Sequence, residues 1–167
     1  VQSQLRDDLR IVVMSATLDG ERLAQFLDAP RLSSAGRSFP VAVSHFPARR
    51  DESLEAQARR AVEQALAEHP GDVLVFLPGQ REISRTQAAL EQALPADIQV
   101  LPLHGELPVE QQSRVLQPDP QGQRRVVLAT NVAESSVTLP GVRVVVDAGL
   151  AREPRYDPNS GFSRLDV

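Results

Sequence analysis

The 167-residue sequence predicts an open, doubly wound α/β fold on a parallel sheet. Three observations carry that expectation. Short apolar runs recur at Ile11–Met14, Val41–Phe46, Val73–Leu77, Ile98–Leu103, Val126–Ala129 and Val142–Val146. They are near-continuous rather than alternating, as in strands buried on both faces. Segments of helical periodicity lie between them, which are the crossovers that parallel strands need. Finally, five of the runs end in polar, turn-forming residues, and the carboxyl ends of parallel strands are where such sheets bind ligands.

Taken in order, Ile11–Met14 runs into Ser15-Ala16-Thr17. The first thirty residues cannot bury a core alone, so residues 1–30 read as the tail of one domain and the sequence as starting inside a larger protein. Pro30, Ser33, Ser34, Gly36, Ser38, Pro40 and Pro47 cluster around the second run, a composition that breaks helices and suits a connector over residues 31–50. Residues 51–167 then form the main domain. Leu54, Ala58, Ala61, Val62, Ala65 and Leu66 fall on one helical face, and Ile83, Ala88, Leu90 and Leu94 mark another helix. The later strands end in Pro78-Gly79-Gln80, His104-Gly105-Glu106, Thr130-Asn131 and Asp147-Ala148-Gly149. Each ending singly is what any loop looks like; together they favour a site. His104 alone reads as a hydrogen-bonded loop histidine.

Composition narrows the chemistry. All 18 basic residues are arginine, and a chain without lysine cannot hold the G-x-x-x-x-G-K-[ST] loop that clamps a nucleotide's β/γ-phosphates. A net charge of −4 excludes a general polyanion sponge, so any nucleic-acid contact must be local, through backbone N–H groups and a few arginines. There is no cysteine, and His45, His69 and His104 lie far apart, so no dedicated metal site is expected. No apolar run has the length of a membrane span and no secretory signal pattern is present, so a cytoplasmic location is the default expectation.

The most informative string is Ala129-Thr130-Asn131-Val132-Ala133-Glu134-Ser135-Ser136-Val137-Thr138-Leu139-Pro140-Gly141-Val142. Asn131 followed by Glu134 is a helix-start signature whose N–H groups can take a phosphate. The cap alone is common to α/β proteins. The full string is more specific, since hydroxyls at 130, 135, 136 and 138 alternate with Asn and Glu where packing needs none.

This string resembles motif V of the DEAH-box RNA helicases. Val13-Met14-Ser15-Ala16-Thr17-Leu18-Asp19 resembles motif III, and Leu74-Val75-Phe76-Leu77-Pro78-Gly79-Gln80-Arg81-Glu82-Ile83 resembles motif IV. Leu101 to Pro108, with Gln111-Gln112, is similar to the segment that follows motif IV. Tyr156-Asp157-Pro158 with Gly161 and Leu165 is similar to the start of the group's β-hairpin. Gly36 to Val41 and Ala151 to Asp157 are most similar to the bacterial HrpB-like members.

The resemblance covers the whole chain and implies the end of one RecA-like lobe followed by most of a second, a helicase C-terminal lobe. It implies that Ser15 and Thr17 relay between lobes and that Glu134 braces motif V, a role no better supported than that of a plain helix cap. It places Ser136, Thr138 and Leu116 toward the nucleotide, and Pro78, Gly79, His104, Gly105, Thr130 and Asn131 toward nucleic acid. The implied cofactor is ATP with Mg²⁺ held by the first lobe, and the implied partners are RNA, with DNA left open, and that first lobe. Motif I with its lysine, acidic motif II and arginine-rich motif VI are absent, so the chain alone is expected to be inactive. Leu116 stands where many members carry an adenine-stacking aromatic residue. The rival expectations are a non-catalytic, RecA-like, single-stranded nucleic-acid-binding module and an interaction domain on a flavodoxin-like sheet.

Overall fold

The computed structural model describes residues 8, 10, 12–14, 20–33, 39–131, 138–157 and 162–166. The chain divides into two compact units, Val1–Ser44 and His45–Val167. The division falls inside the predicted connector.

In the first unit, helix α1 spans Gly20–Leu27 with Glu21 in its first turn, and Asp28 leaves the helix at a φ of 47°. Two of the six expected strands are not formed. Residues 12–14 and 39–47 carry no strand. Met14 is 86% exposed, and Val41 and Val43 are 83% and 80% exposed. An apolar run becomes a strand only when a neighbour completes its backbone ladder, and the described residues offer none to either run.

The second unit is a four-stranded parallel sheet flanked by helices. Helix α2 spans Leu54–Glu68, β1 Asp72–Phe76, α3 Gln80–Ala93, β2 Ile98–Leu103, α4 Val109–Leu116, β3 Arg124–Ala129 and β4 Val142–Asp147. The spatial order is β2-β3-β1-β4, every pairing parallel. The chain therefore steps outward from β1 to β2, returns to β3, and crosses β1 to lay β4 on the far side. A separate antiparallel ribbon pairs β5, Glu153–Asp157, with β6, Phe162–Asp166, where the resemblance implies the start of a β-hairpin.

Alternation along the strands builds two cores. On one face Val73, Val75, Leu77, Val126 and Leu128 meet Ala58, Val62 and Ala65 of α2 and Ile83 and Leu90 of α3. On the other, Leu74, Val127, Ala129 and Leu103 meet Val115 of α4, with Leu116 and Leu139 packed alongside. In α3 the inward position is taken by Thr86 rather than the expected Ala88, which is exposed. Helical phase sets this, since 83, 86 and 90 share one face and 88 lies off it. β4 is covered on one face only, alternating half-buried with exposed residues, and Val145 is 56% exposed.

Helix α2 begins where Ser53 Oγ accepts from Ala56 N at 3.3 Å. From its second turn, Arg60 reaches back to the residues ahead of the helix, lying 4.1 Å over the Phe46 ring and donating to Glu52 at 2.7 and 2.9 Å. Arg60 and the Arg49 backbone N–H together pull the Glu52 carboxyl down to about 2.

Candidate functional site

Parallel strands bring four of the five polar strand endings to one edge. Thr130 and Asn131 leave β3 and Pro78 and Gly79 leave β1, tied by a hydrogen bond from Leu77 N to Ala129 O at 2.9 Å. Asp147 and Gly149 leave β4, where Gly149 N donates to Asp147 Oδ1 at 2.8 Å. Between these ends lies a cleft of about 340 Å³ lined by Phe76, Pro78, Asn131, Asp147, Leu150 and Arg152, among others. Asn131 is exposed and Thr130 half-buried.

Gly79 caps α3 without a side-chain hydrogen bond. Its absent side chain matters because a Cβ there would lie 3.0 Å from both Arg152 Nη1 and Glu82 Oε2. Those two residues form an ion pair of 3.1 Å, and the Glu82 Oε2 atom is buried without a hydrogen-bond partner. Pro78 thus faces the cleft, while Gly79 is buried beside the pair. His104 and Gly105 end β2, on the outer side of β3, and do not line the cleft. The His104 ring is buried and its Nδ1 finds no partner.

Thr138 and Leu116 sit at the opposite edge. Residues 138–141 lead into the amino end of β4, and Leu116 is the last residue of α4. The two edges are five strand steps apart along β3, Arg124 to Ala129, about 16 Å. Thr138 is exposed and Leu116 half-buried, and Leu116 packs in the same core as Leu139. Ser15, Thr17, Glu134 and Ser136 lie outside the described residues.

Residues 57–160 match the helicase conserved C-terminal domain. The chain belongs to that helicase family. Over 166 residues it is 44% identical to the ATP-dependent RNA helicase HrpB of Escherichia coli, covering 99% of this chain and 20% of that protein. It is 39% identical to the pre-mRNA-splicing factor ATP-dependent RNA helicase prp22 of Schizosaccharomyces pombe, covering 97% of this chain and 14% of that protein. The crystal structure of the E. coli DEAH/RHA helicase HrpB superposes with a TM-score of 0.89 at 44% identity, over 98% of this chain and 21% of that one. The chain thus spans about a fifth of the length of HrpB.

Within this helicase C-terminal domain, several structural residues carried no sequence signal. Arg124 donates to the carbonyls of Leu66, His69 and Gly71 at 2.9, 2.8 and 3.0 Å, fastening the end of α2. Arg125, 2% exposed, pairs with Asp72 at 2.6 Å. Glu82 and Arg152 are 70 positions apart in sequence and meet only in the fold. Among the described residues, no group of three His, Asp or Glu side chains is placed to hold a metal.

Proposed function

We propose that the chain is the second-lobe segment of an ATP-dependent RNA helicase, coupling nucleotide binding and hydrolysis to movement along RNA. The observation that carries this is the separation of Thr130 and Asn131 from Thr138 and Leu116. One short sheet offers a polar, glycine-bearing edge at one end and a hydroxyl with an apolar side chain at the other. Small and polar residues at the first edge, Gly149, Thr130 and Asn131 among them, let a sugar-phosphate backbone come close. At the second, Thr138 and Leu116 suit the ribose and the base. No lysine exists to clamp a triphosphate, so those residues fit only part of the nucleotide.

In this reading ATP and Mg²⁺ complete their site on a first lobe, where the phosphate-clamping charge resides, and the work is done in the cytoplasm. His104, Gly105, Ser136, Glu134, Ser15 and Thr17 keep the roles the resemblance implies. The test uses the complete protein. Thr130→Ala should reduce RNA-stimulated turnover severalfold with basal turnover kept, whereas Thr138→Ala should raise the nucleotide KM severalfold with RNA affinity kept. Equal losses in both assays for both folded variants would show the assignment to be wrong. RNA binding without any turnover in the complete protein would favour the non-catalytic binding module instead.

A further inference from the structure

Arg125 is the second residue of β3, with its guanidinium buried on the α4 side. Its backbone N–H donates to Asp72 Oδ1 at 2.9 Å, and Nε donates to Asp72 Oδ2 at 2.8 Å. Those bonds would satisfy an ordinary structural ion pair. The guanidinium does more: Nη1 donates to the carbonyls of Val115, at 3.2 Å, and Gln117, and Nη2 donates to the carbonyl of Pro140 at 2.9 Å. Val115 and Gln117 flank Leu116. Pro140 lies two residues after Thr138. Asp72 holds the same turn from the other side, its N–H donating to Gly141 O at 2.9 Å. A Cβ at Gly141, where φ is +94°, would lie 3.0 Å from Asp72 Oδ2, so backbone and carboxylate meet as closely as a glycine permits.

We propose that Arg125 is a positioning residue for the nucleotide-facing edge, one buried guanidinium that sets the backbone around Leu116 against the backbone that follows Thr138. The inference rests on the reading of Leu116 and Thr138 given above and adds what sets their relative position. The planar fork is essential to it. Guanidinium presents donors in fixed directions to three carbonyls and a carboxylate at once, whereas an ammonium on a flexible stem keeps the charge beside Asp72 without that fixed span. Arg125→Lys therefore separates positioning from charge compensation. Arg125 is buried, with its donors committed to protein acceptors, so its effect runs through the two segments it joins.

The experiment is equilibrium binding of a fluorescent ADP analogue and of single-stranded RNA to the complete protein, wild type and Arg125→Lys, with melting temperature alongside. The expected result is three- to tenfold weaker nucleotide binding with RNA affinity within twofold of wild type. Nucleotide affinity within twofold of wild type, or equal losses for both ligands, would overturn the inference. Hydrogen exchange on the wild type covers the case in which the variant fails to fold. ADP should slow exchange at 115–117 and 138–141 together, and slowing at neither or at only one of them would overturn it. A wild-type protein that binds no nucleotide would instead overturn the helicase reading and this inference with it, whereas normal wild-type binding with an indifferent variant removes this inference alone.

Discussion

The two edges of the sheet are built to opposite specifications. At the amino edge, Arg124 and Arg125 spend their donors on six backbone carbonyls outside their own strand and one carboxylate, tying β3 to the end of α2, the end of α4, β1 and the turn into β4. Asp119 adds bonds from Gln121 N, Gln123 N and Gln99 Nε2 at 2.8, 3.0 and 3.1 Å. At the carboxyl edge the ends of β1, β3 and β4 open onto a cleft, and the Arg152–Glu82 pair is the described ion pair that borders it. A parallel ladder holds both edges equally well, so the difference lies in the side chains. One edge is anchored so that its loops keep their places, and the other is left with backbone and small residues for a ligand to approach.

The sharpest way to break this comparison is Asp72→Ala, which strands the buried Arg125 charge. Removing one partner of a buried pair costs about 3–5 kcal/mol, so urea denaturation should show a loss of that order. A loss below about 1 kcal/mol would mean that the amino edge is not an anchor. Leu116→Phe adds a ring at the same edge. Base stacking is sequence-tolerant and worth roughly 1–3 kcal/mol, so KM for ATP, GTP, CTP and UTP should fall together in the complete protein. A gain for ATP alone would point to base-specific contacts elsewhere.

A matched pair of glycine substitutions sharpens the contrast. Gly141→Ala forces a side chain into left-handed backbone at φ +94° against Asp72 and should cost about 1–2 kcal/mol in thermal unfolding. Gly79→Ala meets only the movable ends of Arg152 and Glu82, so stability should change by about 1 kcal/mol or less, while RNA affinity falls severalfold because Arg152, which lines the cleft, is displaced. The reverse pattern would exchange the roles of the edges. The smallest effect is electrostatic. Backbone N–H bonds from Gln123 and Gln121 hold the Asp119 carboxyl below its ordinary 3.8. A lowered folded-state value means that its stabilisation is present above 3.8 and fades as the pH drops through the folded-state value. Asp119→Asn should flatten a small part of the stability profile in that acid range and leave neutral pH little changed.

Local pattern determined much of this protein. Four of the six expected strands form, because runs such as Val73–Leu77 and Val126–Ala129 are apolar on both faces and can satisfy that only inside a covered sheet. The face of α2 was legible from its spacing, and so was the polar edge, since turn-forming residues after buried strands announce where a parallel sheet opens. Tertiary structure decided the rest. Val41–Phe46 carries the same apolar signal as a strand and forms none, because a ladder needs a partner that no local pattern reveals. Thr130 and Thr138 stand eight residues apart in one string, yet the chain carries them to opposite edges before β4 begins. The joining of Leu116 to the turn after Thr138 depends on Asp72, Arg125, Val115, Gln117 and Pro140, which are scattered over nearly seventy positions. An arginine at the start of an apolar run looks like an ordinary solvated charge. Only the closed packing of α4, β1 and the turn into β4 buries it and leaves its donors those carbonyls and Asp72 to satisfy.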